Sequence, residues 1–374
     1  MSAALAVKQA MCELSPDTEC LLVDTYEHAS RFFGKMATQG YIHFVKYLPR
    51  LYNFFYEQRE KDSTIAGMKS KYTESAAAHL MPLIDSFSPD VIVCTHAFPS
   101  GVASLIKESR GIPVVNVVTD FVVHPFWIHP NSDLYLVGEK SLAAHLSEQG
   151  IGSARVEATG IPVDVRFGST PEKKSEIRRA LGLDPDLDTV LVMGGGVGLG
   201  PIGWILRALR KVKHPIQVAV LTGTNRGLRK RMERQAARLN RGGAKRSGAM
   251  RSVKVYGYVN NVYDFMKAAD LLISKPGGLT SSEALVAELP LVIAGPLPGP
   301  EVRNAAYLAG EKAAVMVKRR KNIARSVDFL FGDRERIARL KERARSMKKP
   351  DAARDAARLI LELAASRHVS HRSP

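Results

Sequence analysis

Three short runs in this chain place glycine and proline directly behind apolar stretches, where a backbone can come close to a ligand. The first is Val190-Leu191-Val192-Met193-Gly194-Gly195-Gly196-Val197-Gly198-Leu199-Gly200-Pro201. Glycine lets a phosphate approach the main chain, and the start of a following helix offers free N–H groups and a positive dipole end. The spacing is neither G-x-G-x-x-G nor G-x-x-x-x-G-K-[ST], because Leu199 and Pro201 stand where a third glycine is needed. Dinucleotide and P-loop readings are therefore weak. Alone, the run also has a plainer reading, a flexible turn.

The second run is Ser274-Lys275-Pro276-Gly277-Gly278-Leu279-Thr280-Ser281-Ser282-Glu283-Ala284. It predicts a strand end, a glycine turn, Thr280 or Ser281 as a cap, and Glu283 in the first helical turn. A carboxylate there is either a capping-box partner or an acceptor for two ribose hydroxyls. The third run, Gly295-Pro296-Leu297-Pro298-Gly299-Pro300-Glu301-Val302-Arg303-Asn304, sets Glu301 and Asn304 on one helix face. Such a pair can bond sugar hydroxyls, or simply start a helix. All three runs close predicted parallel strands of one domain, the edge at which open α/β sheets bind ligands. That coincidence favours a site over three unrelated turns.

Short apolar runs alternating with amphipathic stretches predict β-α units around parallel sheets. Strands are expected at Cys20–Asp24, Val91–Thr95, Val114–Thr119 and Leu134–Val137 in the first half. In the second half they are expected at Val190–Met193, Val218–Leu221, Val253–Tyr256, Leu271–Ser274 and Leu291–Ala294. Helices fall between most of them, for example Ser100–Ser109 and Ser281–Glu288. A further helix opens the chain at Ser2–Glu13, and one closes it at Asp351–Ala365, with a frayed end at Ser366–Pro374. The domains expected are 1–168, 169–345, and a closing helix with tail at 346–374.

At 374 residues, two domains of ordinary size are the natural expectation, and a hydrophobic fraction of 45% supports real cores. The net charge of +17 points to an anionic partner: nucleic acid, a membrane face or a phosphorylated substrate. Cys12, Cys20 and Cys94 form no paired spacing, which argues against a disulfide framework or zinc site and for a reducing cytosol. No apolar run reaches the roughly 18 residues of a spanning helix. Nor does the N-terminus have the pattern of a signal peptide. Membrane contact is expected to be peripheral.

The three runs closely resemble the donor domain of glycosyltransferase family 28, above all the diacylglycerol glucosyltransferases and monogalactosyldiacylglycerol synthases. The lipid-linked N-acetylglucosaminyltransferase of peptidoglycan synthesis is a more distant likeness. Thr222-Gly223-Thr224-Asn225 and Gly257-Tyr258-Val259 are similar to the family's uridine-side loops. Val118-Thr119-Asp120-Phe121-Val122-Val123-His124-Pro125-Phe126-Trp127 resembles its acceptor-domain motif. The likeness spans about residues 2–320, with six motifs in family order.

This resemblance implies an α/β, two-domain GT-B fold, with two Rossmann-like parallel sheets facing a central cleft. It implies an inverting transfer of a hexose from a UDP-sugar to diacylglycerol, with no metal and no cofactor beyond the UDP-sugar substrate. The alternatives are N-acetylglucosaminyl transfer to a polyprenyl-linked acceptor, or a non-catalytic UDP-sugar- or lipid-binding relative. By resemblance, Gly195, Gly196 and Gly198 would hold the phosphates, and Gly223 and Asn225 belong to a uridine-side loop. The Tyr258–Val259 backbone would take the uracil and Glu283 the ribose. Lys275, Gly277, Gly278, Leu279 and Thr280 belong to the same donor motif, and Gly299, Glu301 and Asn304 would face the hexose. Two departures stand out. Pro300 replaces the glutamine of the family's P-G-Q-E, which contacts the hexose in that pattern. The family's opening strand and glycine-rich loop ending in histidine have no counterpart before Ser2. The resemblance therefore leads one to expect either a start upstream of Met1 or a degenerate copy.

An inverting transfer needs a base for the acceptor hydroxyl and positive potential for the departing UDP. The helix starts at Leu199–Ile202 and Leu279–Ser282 offer the potential. For the base the chain offers Asp120, His124 and His96, unless the missing histidine fills that role. Two stretches bear on a lipid acceptor. Tyr41–Tyr56, with Phe44, Tyr47, Phe54 and Phe55, is aromatic and basic, suited to a membrane interface or to a packed core. Arg226–Lys254, including Arg229, Lys230 and Arg231, carries eleven Lys or Arg against one acid. Its glycines suggest a mobile loop, and its charge suits an anionic leaflet. A nucleic-acid partner is set aside because no aromatic or zinc module accompanies the charge. The expected location is cytoplasmic, peripheral at the inner face of the cell membrane.

Overall fold

A computed structural model describes residues 2–29, 63–168, 173–243 and 249–370. The aromatic stretch 41–56, with Phe44, Tyr47, Phe54 and Phe55, lies outside the described residues. The chain divides into two compact units. One comprises Met1–Val165, Pro298–Pro300 and Asp351–Pro374; the other comprises Arg166–Leu297 and Glu301–Pro350.

The first unit holds a four-stranded parallel sheet in the order β1-β2-β3-β4. These strands are β1 (Ile92–Cys94), β2 (Val114–Val117), β3 (Leu134–Leu136) and β4 (Val156–Glu157). The helices are α1 (Ser2–Leu14), α2 (Thr25–Ala29), α3 (Ser63–Phe87), α4 (Ala97–Arg110) and α5 (Ser141–Glu148). Every residue of β2 is buried, as expected of a strand covered on both faces. The chain's last helix, Ala352–Ser370, also packs in this unit. Its Ala353, Ala356, Ala357 and Ile360 meet Ala6, Val7, Ala10 and Met11 of α1 in one cluster. Small residues on both helices allow their axes to approach closely.

Cys20–Asp24, expected as a strand, joins no ladder among the described residues. The Cys20 carbonyl instead accepts from Lys8 Nζ at 2.8 Å. The closing helix is described through Ser370, and the last four residues of the expected frayed end lie outside the described residues.

The second unit carries a six-stranded, wholly parallel sheet in the order β10-β9-β8-β5-β6-β7. Its strands are β5 (Asp188–Met193), β6 (Ile216–Leu221), β7 (Met250–Tyr256), β8 (Leu271–Ser274), β9 (Leu291–Ala294) and β10 (Ala314–Val317). The helices are α6 (Lys174–Ala180), α7 (Ile202–Leu209), α8 (Arg226–Gly243), α9 (Val262–Ala268) and α10 (Gly278–Val286). They continue as α11 (Pro300–Gly310), α12 (Ile323–Phe331) and α13 (Arg334–Met347), so the Ala352–Ser370 helix is α14. Val190, Val192, Val218, Val220, Ile273 and Val292 form the middle of a core closed by α7, α8 and α12.

The basic stretch Arg226–Lys254 is not a loop at its start. Arg226–Gly243 is helical because Leu228, Met232 and Ala236 recur every fourth residue and bury one face. Pro300 takes the first position of α11, where a missing N–H costs nothing.

Candidate functional site

The strand order fixes where a ligand can lie in the second unit. From β5 the chain builds outward through β6 and β7, then crosses back to β8 and builds the other way through β9 and β10. The loops leaving β5 and β8 therefore diverge, and the crevice between them is the topological switch point of an open parallel sheet. Gly194–Pro201 leaves β5, and Lys275–Gly277 leaves β8. Ser274 Oγ donates to the Met193 carbonyl at 3.0 Å, joining the last residues of the two strands.

The glycine loop is shaped by close backbone approach. Gly198 has φ +62°, and a Cβ there would stand 2.2 Å from the Thr222 carbonyl oxygen. Gly223 has φ +57°, and its Cβ would stand 2.1 Å from the Gly196 oxygen. Thr224 N donates to that same Gly196 oxygen at 2.9 Å. Only glycine fits both positions, so the loops after β5 and β6 lie main chain to main chain. Gly196 differs: a Cβ there would meet nothing within 4 Å among the described residues. Its open face, beside Gly195, is where a ligand phosphate can reach the backbone.

The second run starts its helix earlier than the sequence suggested. Gly277 is the N-cap of α10, with no side-chain cap, and Gly278 is its first residue. Neither Thr280 nor Ser281 caps it. Glu283 falls in the second turn, half-buried, which removes the capping-box reading and leaves a carboxylate on the helix. The amides of Gly278, Leu279 and Thr280 are the first of the helix, pointing out of its N-terminus. Ser281 Oγ, fully buried behind them, has no hydrogen-bond partner among the described residues. The sequence offers Ser281 only as a cap.

Lys275 runs along the glycine loop. Its Cε is 3.7 Å from a Cβ built on Gly195, and its Cδ is 3.9 Å from one on Gly200. Its ammonium pairs with Glu301 Oε1, with side-chain exposures of 16% and 12%. The other Glu301 oxygen accepts the Leu297 amide at 2.9 Å. Asn304 is fully buried, and its Nδ2 donates to the Pro276 carbonyl at 3.1 Å. Glu301 and Asn304, expected to face a sugar, thus both hold the loop that follows β8. Gly299, at φ +91°, turns the chain just before α11.

On the other side of the switch point, Asn225 Oδ1 accepts from Leu228 N at 2.9 Å and starts α8. Tyr258 is 68% exposed beyond β7, and Val259 beside it is half-buried. Arg229 donates to Glu233 at 2.8 Å and lies against Gly257, whereas Lys230 and Arg231 face solvent.

In the first unit the two candidate histidines serve as caps. His124 is buried, and its Nδ1 accepts from Phe126 N at 3.1 Å at the start of the 3₁₀ turn Pro125–Trp127. His96 Nδ1 accepts from Phe98 N at 3.3 Å at the start of α4. A neutral imidazole that accepts at Nδ1 carries its proton at Nε2, so neither ring has a second nitrogen ready to take a proton. Burial also holds the His96 pKa below the ordinary value, although part of the residue stays open to solvent. Asp120 is half-buried just past β2.

Sequence reading missed the stack beside His96. Phe98 lies between Tyr26, at 4.8 Å, and Tyr72, at 5.1 Å. Burial, then the neighbouring Tyr72 and Asp24, push the Tyr26 hydroxyl pKa up. The three rings come from α2, α3 and the start of α4, so no local spacing signals them.

Among the described residues no helix is long and apolar enough to cross a membrane. Residues 1–163 match the family model of monogalactosyldiacylglycerol (MGDG) synthase, and 189–356 that of the glycosyltransferase family 28 C-terminal domain. A processive diacylglycerol beta-glucosyltransferase of Bacillus cytotoxicus is 30% identical over 331 residues, covering 87% of this chain and 81% of its own. Its namesake from Bacillus subtilis is 31% identical over 279 residues, covering 74% and 69%. Among solved structures, Acinetobacter baumannii MurG superposes with TM-score 0.56 at 16% identity, covering 78% of this chain and 79% of that one. The S. aureus MnaA–UDP co-structure does so with TM-score 0.58 at 15% identity, covering 76% and 79%. These two likenesses concern the fold alone.

Proposed function

This chain belongs to glycosyltransferase family 28 and has the GT-B fold, and on that footing we propose that it moves a hexose from a UDP-sugar to diacylglycerol. The observation that carries the reading is the row of loops along one sheet edge. The loops after β9, β8, β5, β6 and β7 follow one another in space, in that order. With strands about 4.8 Å apart, five strand ends span about 19 Å, room for an elongated ligand of sugar, diphosphate and nucleoside.

Each part of the donor meets suitable chemistry. The Gly195–Gly196 backbone and the first amides of α10 suit the diphosphate, and Lys275, which runs along the glycine loop, brings a positive charge close to it. Together they can hold the departing UDP without a metal ion. Glu283 suits the ribose hydroxyls, and the Tyr258–Val259 backbone suits the uracil. The sugar belongs at the Leu297–Asn304 end. Direct attack by the acceptor hydroxyl inverts the anomeric centre. Asp120 is the base, since His96 and His124 use their accepting nitrogens as caps.

The acceptor is read from the named relatives, which are diacylglycerol glucosyltransferases. The outward face of α8 supports contact with an anionic leaflet. Its apolar residues are turned into the core while Lys230, Arg231, Arg234 and Arg238 stay exposed. We assign the protein to the inner face of the cell membrane on that ground. Incubation with radiolabelled UDP-glucose or UDP-galactose and diacylglycerol in anionic vesicles tests the reading. Labelled glycolipid is expected; its absence with both donors, while UDP binds, would remove the acceptor assignment.

A further inference from the structure

The pairing of Lys275 with Glu301 places one carboxylate at the junction of two functions. Lys275 extends along the glycine loop, with its Cε near Gly195 and its Cδ near Gly200. Its ammonium ends on Glu301, and both groups are largely withdrawn from water. Glu301 stands on the first turn of α11 and also holds the Leu297 amide, so it anchors the turn after β9. Both carboxylate oxygens are occupied, and the lysine's charge is answered inside the protein.

A diphosphate arriving at Gly195 and Gly196 brings negative charge within reach of the same ammonium. A half-buried lysine cannot satisfy two anions equally, and a charge-assisted bond to phosphate competes with the one to carboxylate. We propose that the pair is an interlock: Glu301 holds Lys275 while the donor site is empty, and the donor's diphosphate takes Lys275 over and releases Glu301 to the sugar. The inference rests on the donor reading above and adds an order to it. The sugar end of the site becomes ready only once the diphosphate end is filled. Glu301 is on this account a positioning residue for Lys275 before it is a sugar contact.

The interlock has an unusual sign. Removing a residue that merely supports the site weakens binding, whereas removing a competitor strengthens it. UDP binding is measured by titration calorimetry on the full chain and on Glu301→Gln, Glu301→Ala, Lys275→Met and Lys275→Met with Glu301→Gln, each checked by thermal melting. Both Glu301 variants are expected to bind UDP more tightly, on the order of fivefold, the scale of one modest ion pair. Their kcat for sugar transfer falls although UDP binding improves. Lys275→Met weakens UDP binding by on the order of tenfold or more, and adding Glu301→Gln to it restores nothing.

If the wild type binds UDP and transfers sugar but neither Glu301 variant binds UDP more tightly, the interlock is wrong and the donor reading stands. A gain that persists without Lys275 overturns it as well. If the wild type binds no UDP, the donor reading falls and takes the interlock with it. Should Lys275→Met fail to fold, the two Glu301 variants decide the matter alone.

Discussion

Ser274 Oγ donates to the Met193 carbonyl at 3.0 Å, and these are the last residues of β8 and β5. The bond is buried and joins the two strands whose loops part at the switch point. It fixes the distance between the glycine loop and Lys275, the next residue along from Ser274. Around it, Gly295 at φ +65° would bring a Cβ within 2.7 Å of Pro201 Cγ, so the turn after β9 rests on the start of α7. The candidate donor site is therefore held by main-chain packing between neighbouring loops.

The glycines of the loop after β5 have separable roles, and alanine substitutions tell them apart. Gly198→Ala forces a left-handed conformation on alanine and a contact with the Thr222 carbonyl. It should destabilise by about 2 kcal/mol or more, read as a lowered urea midpoint. Gly196→Ala meets open space and should leave stability within about 0.5 kcal/mol. Its methyl group nevertheless stands on the face assigned to phosphate, so UDP affinity should fall on the order of tenfold. Equal losses of stability in both variants would contradict this division.

Asp120→Asn should lower kcat for sugar transfer on the order of a hundredfold or more, with UDP affinity unchanged. His124→Asn, which can still cap the Pro125–Trp127 turn, should keep activity within a few-fold. His124→Ala loses the cap and about 1 kcal/mol of stability. Steady-state kinetics beside calorimetry separates these outcomes. A collapse of kcat in His124→Asn would move the base from Asp120 to His124.

Glu288 accepts from Arg345 at 2.7 Å and from Lys348 at 2.7 Å, tying the end of α10 to α13. The Arg345 bond, then that of Lys348, lowers the Glu288 pKa from 4.5 to about 2. A carboxyl with a lower pKa in the folded state stabilises fully above its unfolded pKa and loses that contribution as pH falls through the folded one. The window here runs from pH 4.5 down to about 2. Glu288→Gln should therefore be less stable than wild type at neutral pH and lose less across that window. Melting temperatures taken at intervals of pH check the slope. Identical profiles would show that the ion pairs contribute nothing.

Much of the second unit's fold was legible because its strands are continuous apolar runs closed by glycine or lysine-proline turns. Leu271–Ser274 and Leu291–Ala294 have the bounds read from sequence. β4 and β10 escaped notice: Val156–Glu157 is two residues long, and Ala314–Val317 follows α11 with no strong turn signal. The helix at Arg226–Gly243 was hidden because only three buried residues mark its apolar face amid arginines and glycines. The candidate site residues stand out as motifs in the sequence, but their partners do not. Lys275 and Glu301 are 26 residues apart, and His96 meets Tyr26 across 70. Side-chain pairing across such distances leaves no trace in local spacing.

Lys230 and Arg231 point to solvent from α8. Reversing both to glutamate should leave the fold intact, since neither is buried. Each charge removed near an anionic surface is worth about 1 kcal/mol, so co-sedimentation with anionic vesicles should drop at least tenfold. Binding to neutral vesicles should be unaffected. Unchanged binding to anionic vesicles would take the membrane contact away from α8.

The proposed function places a UDP-sugar across the carboxyl ends of β5 and β8. A crystal structure with UDP bound tests it most directly. The diphosphate is expected on the Gly195–Gly198 backbone beside Lys275, the ribose at Glu283 and the uracil at Val259. UDP seated elsewhere on the chain, or a diphosphate with no contact to either loop, would contradict it.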